Sequence, residues 1–264
     1  MKIELLGPLC VSHNGRKVDV GSRKIRTVLA LLALSPGSAV SFDQLTDELW
    51  EDKSMRNLRN ALHANIARLR RLLGSVTGQR GEELVRTVSN GYLLDVPTDS
   101  VDTQQFLTLA RQGTELVKPG PYKAIDLLRE ALVLWRGPAL CDVTDGARCQ
   151  AAATHLDERR LTVEEDLIAA RIAVGEEWLV MHELKQLVAE HPGRERLSEY
   201  LMLALYRSGR QSEAVSVFQR TCNWLSTELG LQPGRALKEL YQAILVQNPI
   251  LDHAPEHCGR LSCR

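Results

Sequence analysis

The sequence predicts an α+β domain over residues 1–97, followed by an all-α domain of stacked helical hairpins over 98–250. Three observations carry that expectation. Short β-rich segments around Asn-Gly turns bracket a run of helical signals in the first hundred residues. Between Lys53 and Leu73 a basic stretch without one acidic residue places Leu58, Leu62, Ile66, Leu69 and Leu73 along one apolar face of a helix. Beyond Pro97 the chain reads as helical to about Gln247.

Taken in order, Ile3–Leu6 and Cys10–Ser12 are strand-like and separated by Gly7-Pro8. His13-Asn14-Gly15-Arg16 then supplies a hairpin turn before Val18–Val20. Ser22 is placed to cap a helix from Arg23 to Leu34, which Ser35-Pro36-Gly37 ends. Ser41 and Gln44 have capping-box spacing and open a second helix to about Trp50. After the short loop Glu51-Asp52-Lys53, Ser54 is placed to cap the basic helix, with Gly74 as its C-cap. Leu84–Val88 and Tyr92–Val96 flank Ser89-Asn90-Gly91 and predict a terminal hairpin. Strands, two helices, a third basic helix and a hairpin are the order of a winged helix-turn-helix, whose third helix enters the major groove.

The basic helix justifies that comparison. Opposite its apolar face lie Arg56, Asn60, His63, Ala64, Ala67 and Arg71, with Arg59, Arg68 and Arg70 on the shoulders. Arginine and asparagine can pair bidentately with guanine and adenine edges, and alanines allow close approach. Asn60, His63, Ala64 and Ala67 are therefore expected on the base-edge face, Arg56 and Arg71 at its ends, and Arg59, Arg68 and Arg70 against phosphates. Alternatives stand beside these: an intramolecular ion pair for Arg68 and simple solvent exposure for His63. Arg23, Lys24 and Arg26 occupy a first helical turn, where the dipole disfavours cations, so either phosphates or plain solvent lie opposite. Arg86, Asn90 and Tyr92 are the wing candidates, with core packing open for Tyr92 and turn formation for Asn90.

The whole chain has 33 basic and 33 acidic side chains, but they are unevenly divided. Residues 1–97 carry 14 and 10, a net +4, and the remainder a net −4, as expected of a basic binding module joined to an acidic partner module. No apolar run approaches the ~18 residues of a membrane span, and Met1–Pro8 is too short and charged for a secretory segment. Six scattered cysteines are expected as reduced thiols of a cytoplasmic chain. His253, His257, Cys258 and Cys263 fit no strong zinc signature, so no metal or cofactor is expected, and 251–264 is expected to fray. Gly-x-Ser-x-Gly, His-Glu-x-x-His, the dinucleotide fingerprint and Cys-x-x-Cys are all lacking, so no catalytic residue is expected and the chain is read as not an enzyme.

In the helical half, Tyr122–Ala131 and, better, Met202–Val215 with Phe218 resemble tetratricopeptide-type helices: Gly209, Ala214 and Phe218 fall at the turn, small and aromatic positions. Glu177–Met181 is unusually apolar and is either core or a partner surface.

Together these residues resemble the Streptomyces antibiotic regulatory protein family, an OmpR-type winged helix followed by a bacterial transcriptional activator domain. The resemblance rests on Ile3–Leu9, Asp47–Trp50, Arg68–Gly74 and Val88 with Gly91-Tyr92. In the second half it rests on Val101-Asp102 with Phe106, Ala131–Leu140, His191–Leu197, Leu201–Gln211 and Glu228–Gly234. It implies a DNA-binding transcriptional activator of an antibiotic or other secondary-metabolite gene cluster. Such a protein binds tandem direct repeats in double-stranded DNA as a head-to-tail homodimer in the nucleoid, and recruits RNA polymerase with contacts to its sigma subunit. It also implies a phosphate contact for the Trp50 indole, with core packing as the rival, and a polymerase contact for the Glu51, Asp52, Lys53 loop. Longer relatives carry an ATPase module; with no P-loop here, control by ATP within the chain is not expected. Two other readings remain open: a helical-repeat scaffold with an incidental basic helix, and a metabolite-sensing regulator with a ligand pocket in the helical domain.

Overall fold

The computed structural model describes residues 1–50 and 57–252, which divide into two compact units. The first comprises residues 1–114 and 127–163, the second residues 115–126 and those from 164 onward. The domain boundary expected at 97–98 falls inside the first unit.

In the first unit, Asn14 and Gly15 both take positive φ (50° and 79°), the conformation a two-residue hairpin turn needs. They fold β2 (Cys10–His13) onto β3 (Arg16–Val18) with His13 opposite Arg16, and β1 (Lys2–Glu4) completes an antiparallel sheet in the order β1-β2-β3. Helix α1 (Arg23–Leu34) follows, its Val28, Leu29 and Leu32 fully buried. The capping box forms as expected: the Ser41 hydroxyl accepts the Gln44 N–H at 3.2 Å and the Gln44 side chain accepts the Ser41 N–H at 2.9 Å, opening α2 (Phe42–Leu49). Helix α3 (Leu58–Thr77) runs past the expected stop. Gly78, in the left-handed region at φ 73°, is its C-cap, whereas Gly74 is helical and its carbonyl accepts the Gly78 N–H. The expected cap Ser54 lies outside the described residues.

A one-turn helix α4 (Gly81–Leu84) leads into β5 (Val85–Val88) and β6 (Gly91–Leu94), the expected hairpin. A two-residue strand, β4 (Val40–Ser41), pairs with β6 and gives a second sheet in the order β4-β6-β5. The close approach needs a glycine. A Cβ at Gly91 would overlap the Val40 carbonyl. Leu45, Leu62, Ile66, Leu69, Leu73, Tyr92 and Leu94 are core residues.

The first unit also includes segments from the expected helical half. Val101 bridges to Ile3, and Asp102, at the start of α5 (Asp102–Leu116), accepts the N–H groups of Leu5 (2.7 Å) and Leu6 (3.0 Å). Asp142 accepts the Leu9 N–H at 2.9 Å. The first turns of α7 (Ala147–Ala173) are capped from afar: the Glu48 carboxylate in α2 accepts the N–H groups of Arg148 (2.9 Å) and Cys149 (2.7 Å). Helix α6 (Pro121–Val133) divides between the units.

In the second unit, α8 (Glu177–Glu190), α9 (Glu195–Arg207), α10 (Gln211–Leu229) and α11 (Arg235–Leu245) follow α7. Gly209 takes φ 74° at the α9–α10 turn and Ala214 is fully buried. The Phe218 ring stacks on Tyr241 of α11 at 3.9 Å between centroids, so the three repeat positions act as their spacing predicts. Buried Glu165 and Asp166 are paired with Arg194 (3.0 Å) and Arg196 (2.7 Å). The apolar Glu177–Met181 segment splits: Val180 is core, Trp178 is 75% exposed, and Glu177 pairs with Arg207 at 2.9 Å. Leu251, expected in a frayed tail, is buried, and its carbonyl accepts the Arg207 Nε at 2.7 Å. Residues 253–264 lie outside the described residues. Among the described residues no helix is long and apolar enough to cross a membrane, and no group of three or more His, Cys, Asp or Glu side chains could hold a metal ion.

Candidate nucleic-acid interface

Helix α3 is divided lengthwise. Leu62, Ile66, Leu69 and Leu73 form a buried rail, while Arg59, Asn60, His63, Ala64, Ala67, Arg68 and Arg71 are exposed. These are residues that the helical period places opposite the rail, or on its shoulders for Arg59 and Arg68, and no acidic residue interrupts them. Arg68 and Arg71 have no hydrogen bond or ion pair among the described residues, so the intramolecular pair considered for Arg68 is not formed there. Arg56 and the Glu51, Asp52, Lys53 loop lie outside the described residues.

His63 is exposed but positioned. Its Nδ1 is 2.7 Å from the Tyr92 hydroxyl, and its ring packs edge-on against Phe42 (5.7 Å) and Tyr92 (6.2 Å). Phe42 and Tyr92 are in turn edge-to-face at 5.4 Å. Burial pushes the Tyr92 hydroxyl above its ordinary pKa, partly offset by the nearby Arg70 charge. With Nδ1 engaged, Nε2 is the His63 nitrogen left for a ligand. Phe42 also lies 5.7 Å from the Arg59 guanidinium. Sequence reasoning missed Phe42: it opens α2 instead of lying on α3, and its part is to support two neighbours.

Arg70 is placed differently from its expected shoulder role. Its Nε and Nη2 donate to the Val85 carbonyl at 2.8 and 2.7 Å, and Nη2 also donates to Thr87 Oγ1 at 2.8 Å. The guanidinium lies 5.8 Å from the Tyr92 ring, so one side chain ties α3 to both strands of the hairpin. Asn65, unremarked in the sequence, is buried and donates to the Ala61 carbonyl at 2.9 Å.

The remaining candidates are dispersed. Arg23 pairs with Asp145, and Arg26 lies 3.4 Å from Asp142, so two of the three cations of α1 have carboxylates opposite them. Lys24 sits 4.5 Å over the Trp50 ring, and Trp50 is a core residue only 8% exposed. Arg86 pairs with Asp95 at 3.0 Å on the exposed wing. Asn90 is exposed in the hairpin turn, where its carbonyl accepts the Phe42 N–H at 3.0 Å. Tyr92 is buried, as its core alternative had it.

A two-stranded wing beside an acid-free helix, whose cations are displayed on one face and whose other face is core, defines a DNA-binding transcription regulator of the winged-helix class. Comparison with known proteins agrees. Residues 15–94 match the family described as transcriptional regulatory protein, C terminal, and residues 101–245 match the bacterial transcriptional activator domain. The chain is 43% identical to the transcriptional regulator RedD of Streptomyces coelicolor, over 95% of this chain and 72% of that protein. It is 37% identical to the regulatory protein DnrI of Streptomyces peucetius, over 97% and 96%. The solved structure of Mycobacterium tuberculosis EmbR, in complex with a low affinity phosphopeptide, superposes with a TM-score of 0.89 at 33% identity; it covers 97% of this chain, which spans 66% of that one. The chain belongs to the Streptomyces antibiotic regulatory protein family.

Proposed function

We propose that this protein activates transcription of an antibiotic or other secondary-metabolite gene cluster by binding tandem direct repeats in its promoters. The observation that carries the reading is the α3 face: Arg59, Asn60, His63, Ala64, Ala67, Arg68 and Arg71 exposed together above a buried leucine and isoleucine rail. In the proposed complex, Asn60 and His63 meet base edges while Ala64 and Ala67 admit the helix to the groove. Arg59 and Arg68 meet phosphates, Arg71 does so from the end of the base-edge face where the sequence placed it, and Arg70 holds the wing at its angle. Two copies bind head to tail, with repeats on one face of the duplex about one helical turn apart. The DNA-bound pair recruits RNA polymerase through contacts that include the sigma subunit. The site of action is the cytoplasmic nucleoid, and no step requires an enzymatic activity of the chain.

The test is fluorescence anisotropy with a promoter duplex carrying such a repeat, beside a scrambled duplex, at two salt concentrations. Asn60→Ala is expected to narrow the gap between the duplexes. Arg71→Ala is expected to weaken both alike and to reduce the log–log salt slope by about 0.9. Equal, salt-erased binding of both duplexes to the unaltered protein would refute sequence readout. Transcription in vitro with purified polymerase, with and without the protein, tests recruitment.

A further inference from the structure

The second unit contains a cavity of about 740 Å³ between α8, α9 and α10, within the size range of small-molecule sites. Its floor is core: Leu201, Leu205 and Val217 are almost fully buried. Its walls are Val188, Ala189, Pro192 and the Trp224 indole. The indole is accommodated by the α8–α9 turn. A methyl group at Gly193 would lie 3.0 and 3.1 Å from two of its ring carbons, so the missing side chain there makes room for it.

The polar lining is cationic on balance. Lys185, Glu213 and Arg220 stand at the cavity, and Lys185 lies 3.9 Å from Glu213. The Glu213 oxygens already accept the Arg210 guanidinium at 2.6 and 2.7 Å, so its charge is largely met from outside the cavity. Arg220 is exposed and has no hydrogen bond or ion pair among the described residues. An apolar pocket walled by an indole, with a lysine and a guanidinium that acts on Glu213 through its charge but makes no hydrogen bond to it, matches one ligand chemistry. It suits a flat, largely apolar ring system bearing a single anionic group, the rings against Trp224 and the anion at Arg220. We propose that the α8–α9–α10 cavity is a binding site for such an amphipathic aromatic anion. The site stands on the second unit alone and is independent of whether α3 reads DNA.

The experiment titrates the full-length protein with 1-anilinonaphthalene-8-sulfonate, which has this chemistry, and with N-phenyl-1-naphthylamine, the same rings without the sulfonate. Emission enhancement is followed for the unaltered chain, Arg220→Gln and Ala189→Trp, with circular dichroism confirming each fold. One saturable site is expected. Arg220→Gln should weaken the sulfonate about tenfold and leave the neutral amine within about twofold, and Ala189→Trp, which fills the cavity, should abolish both. Arg220→Gln is a surface change, so the assignment is tested even if Ala189→Trp does not fold. Sulfonate binding untouched by Arg220→Gln, or both probes weakened alike, would overturn the proposal. So would emission per chain that falls as protein concentration drives self-association, because a second copy would then occupy the cavity.

Discussion

Replacing Arg70 separates two roles that a basic helix leaves confounded. Its guanidinium makes two donations to the carbonyl of the fully buried Val85 and one to Thr87 Oγ1. A hydrogen bond from a charged donor to such an acceptor contributes about 1.5–3 kcal/mol, and the Thr87 arm is exposed and adds little. Arg70→Ala should therefore cost about 2 kcal/mol and lower the melting temperature of this unit of roughly 150 residues by about 4–8 °C. Arg70→Lys keeps the charge but cannot reproduce the fork, and should lose most of the same stability. In the DNA titration, Arg70→Ala should leave the log–log salt slope unchanged, because no phosphate contact is removed, while Arg71→Ala lowers it. Calorimetry with the salt titration on the four proteins decides the matter. An Arg70→Ala chain as stable as the unaltered one, with a salt slope reduced by about 0.9 and restored by Arg70→Lys, would refute the clamp and return Arg70 to the phosphates.

Gly91→Ala puts a methyl into the Val40 carbonyl and must part β4 from β6; a loss of at least about 3 kcal/mol in urea denaturation is expected, and a change below about 0.5 kcal/mol contradicts the pairing. Burial pushes the Asp102 carboxyl from 3.8 up to about 6, against the pull of the Leu6 and Leu5 N–H groups and of Arg136. Between about pH 4 and 6 the folded chain thus keeps a proton that the unfolded chain has released, and this group makes stability fall as pH rises through that window. Relative to the unaltered chain, Asp102→Asn should gain stability from pH 4 to 6, by at most about 3 kcal/mol, and then level off; a pH-independent gap in melting temperature sinks the idea. Burial, and next the Glu48 carboxylate, push the Cys149 thiol well up, whereas Cys141 is exposed. Iodoacetamide at pH 8 followed by peptide mass spectrometry should label Cys141 at least about tenfold faster, and equal rates would contradict the buried placement.

The parts of this protein legible from sequence are those set within a few residues of chain. The Asn14-Gly15 turn, the Ser41–Gln44 capping box and the apolar rail of α3 formed where turn chemistry and the 3.6-residue period put them, whereas the second hairpin formed but turns at Ser89-Asn90, with Gly91 already paired in β6. The exposed face of α3 followed from the same period, since burying one side of a helix leaves the other to solvent. Gly209, Ala214 and Phe218 were legible as repeat positions for the same reason.

What each polar side chain does with its surroundings was decided only by tertiary structure. Arg70 and Arg71 are adjacent cations in the sequence, yet the turn of the helix aims the first at the wing and leaves the second exposed. Glu48 reads as one more acid near the end of a surface helix, but it caps α7 a hundred residues away. Asp102, Asp142 and Asp145 read as part of an acidic second half, while packing sets them against the first strands and α1. Composition and periodicity act locally and so determine which elements form and which faces are buried. The partner of a charge depends on which distant elements the core brings within about 3 Å, a distance that no local pattern encodes.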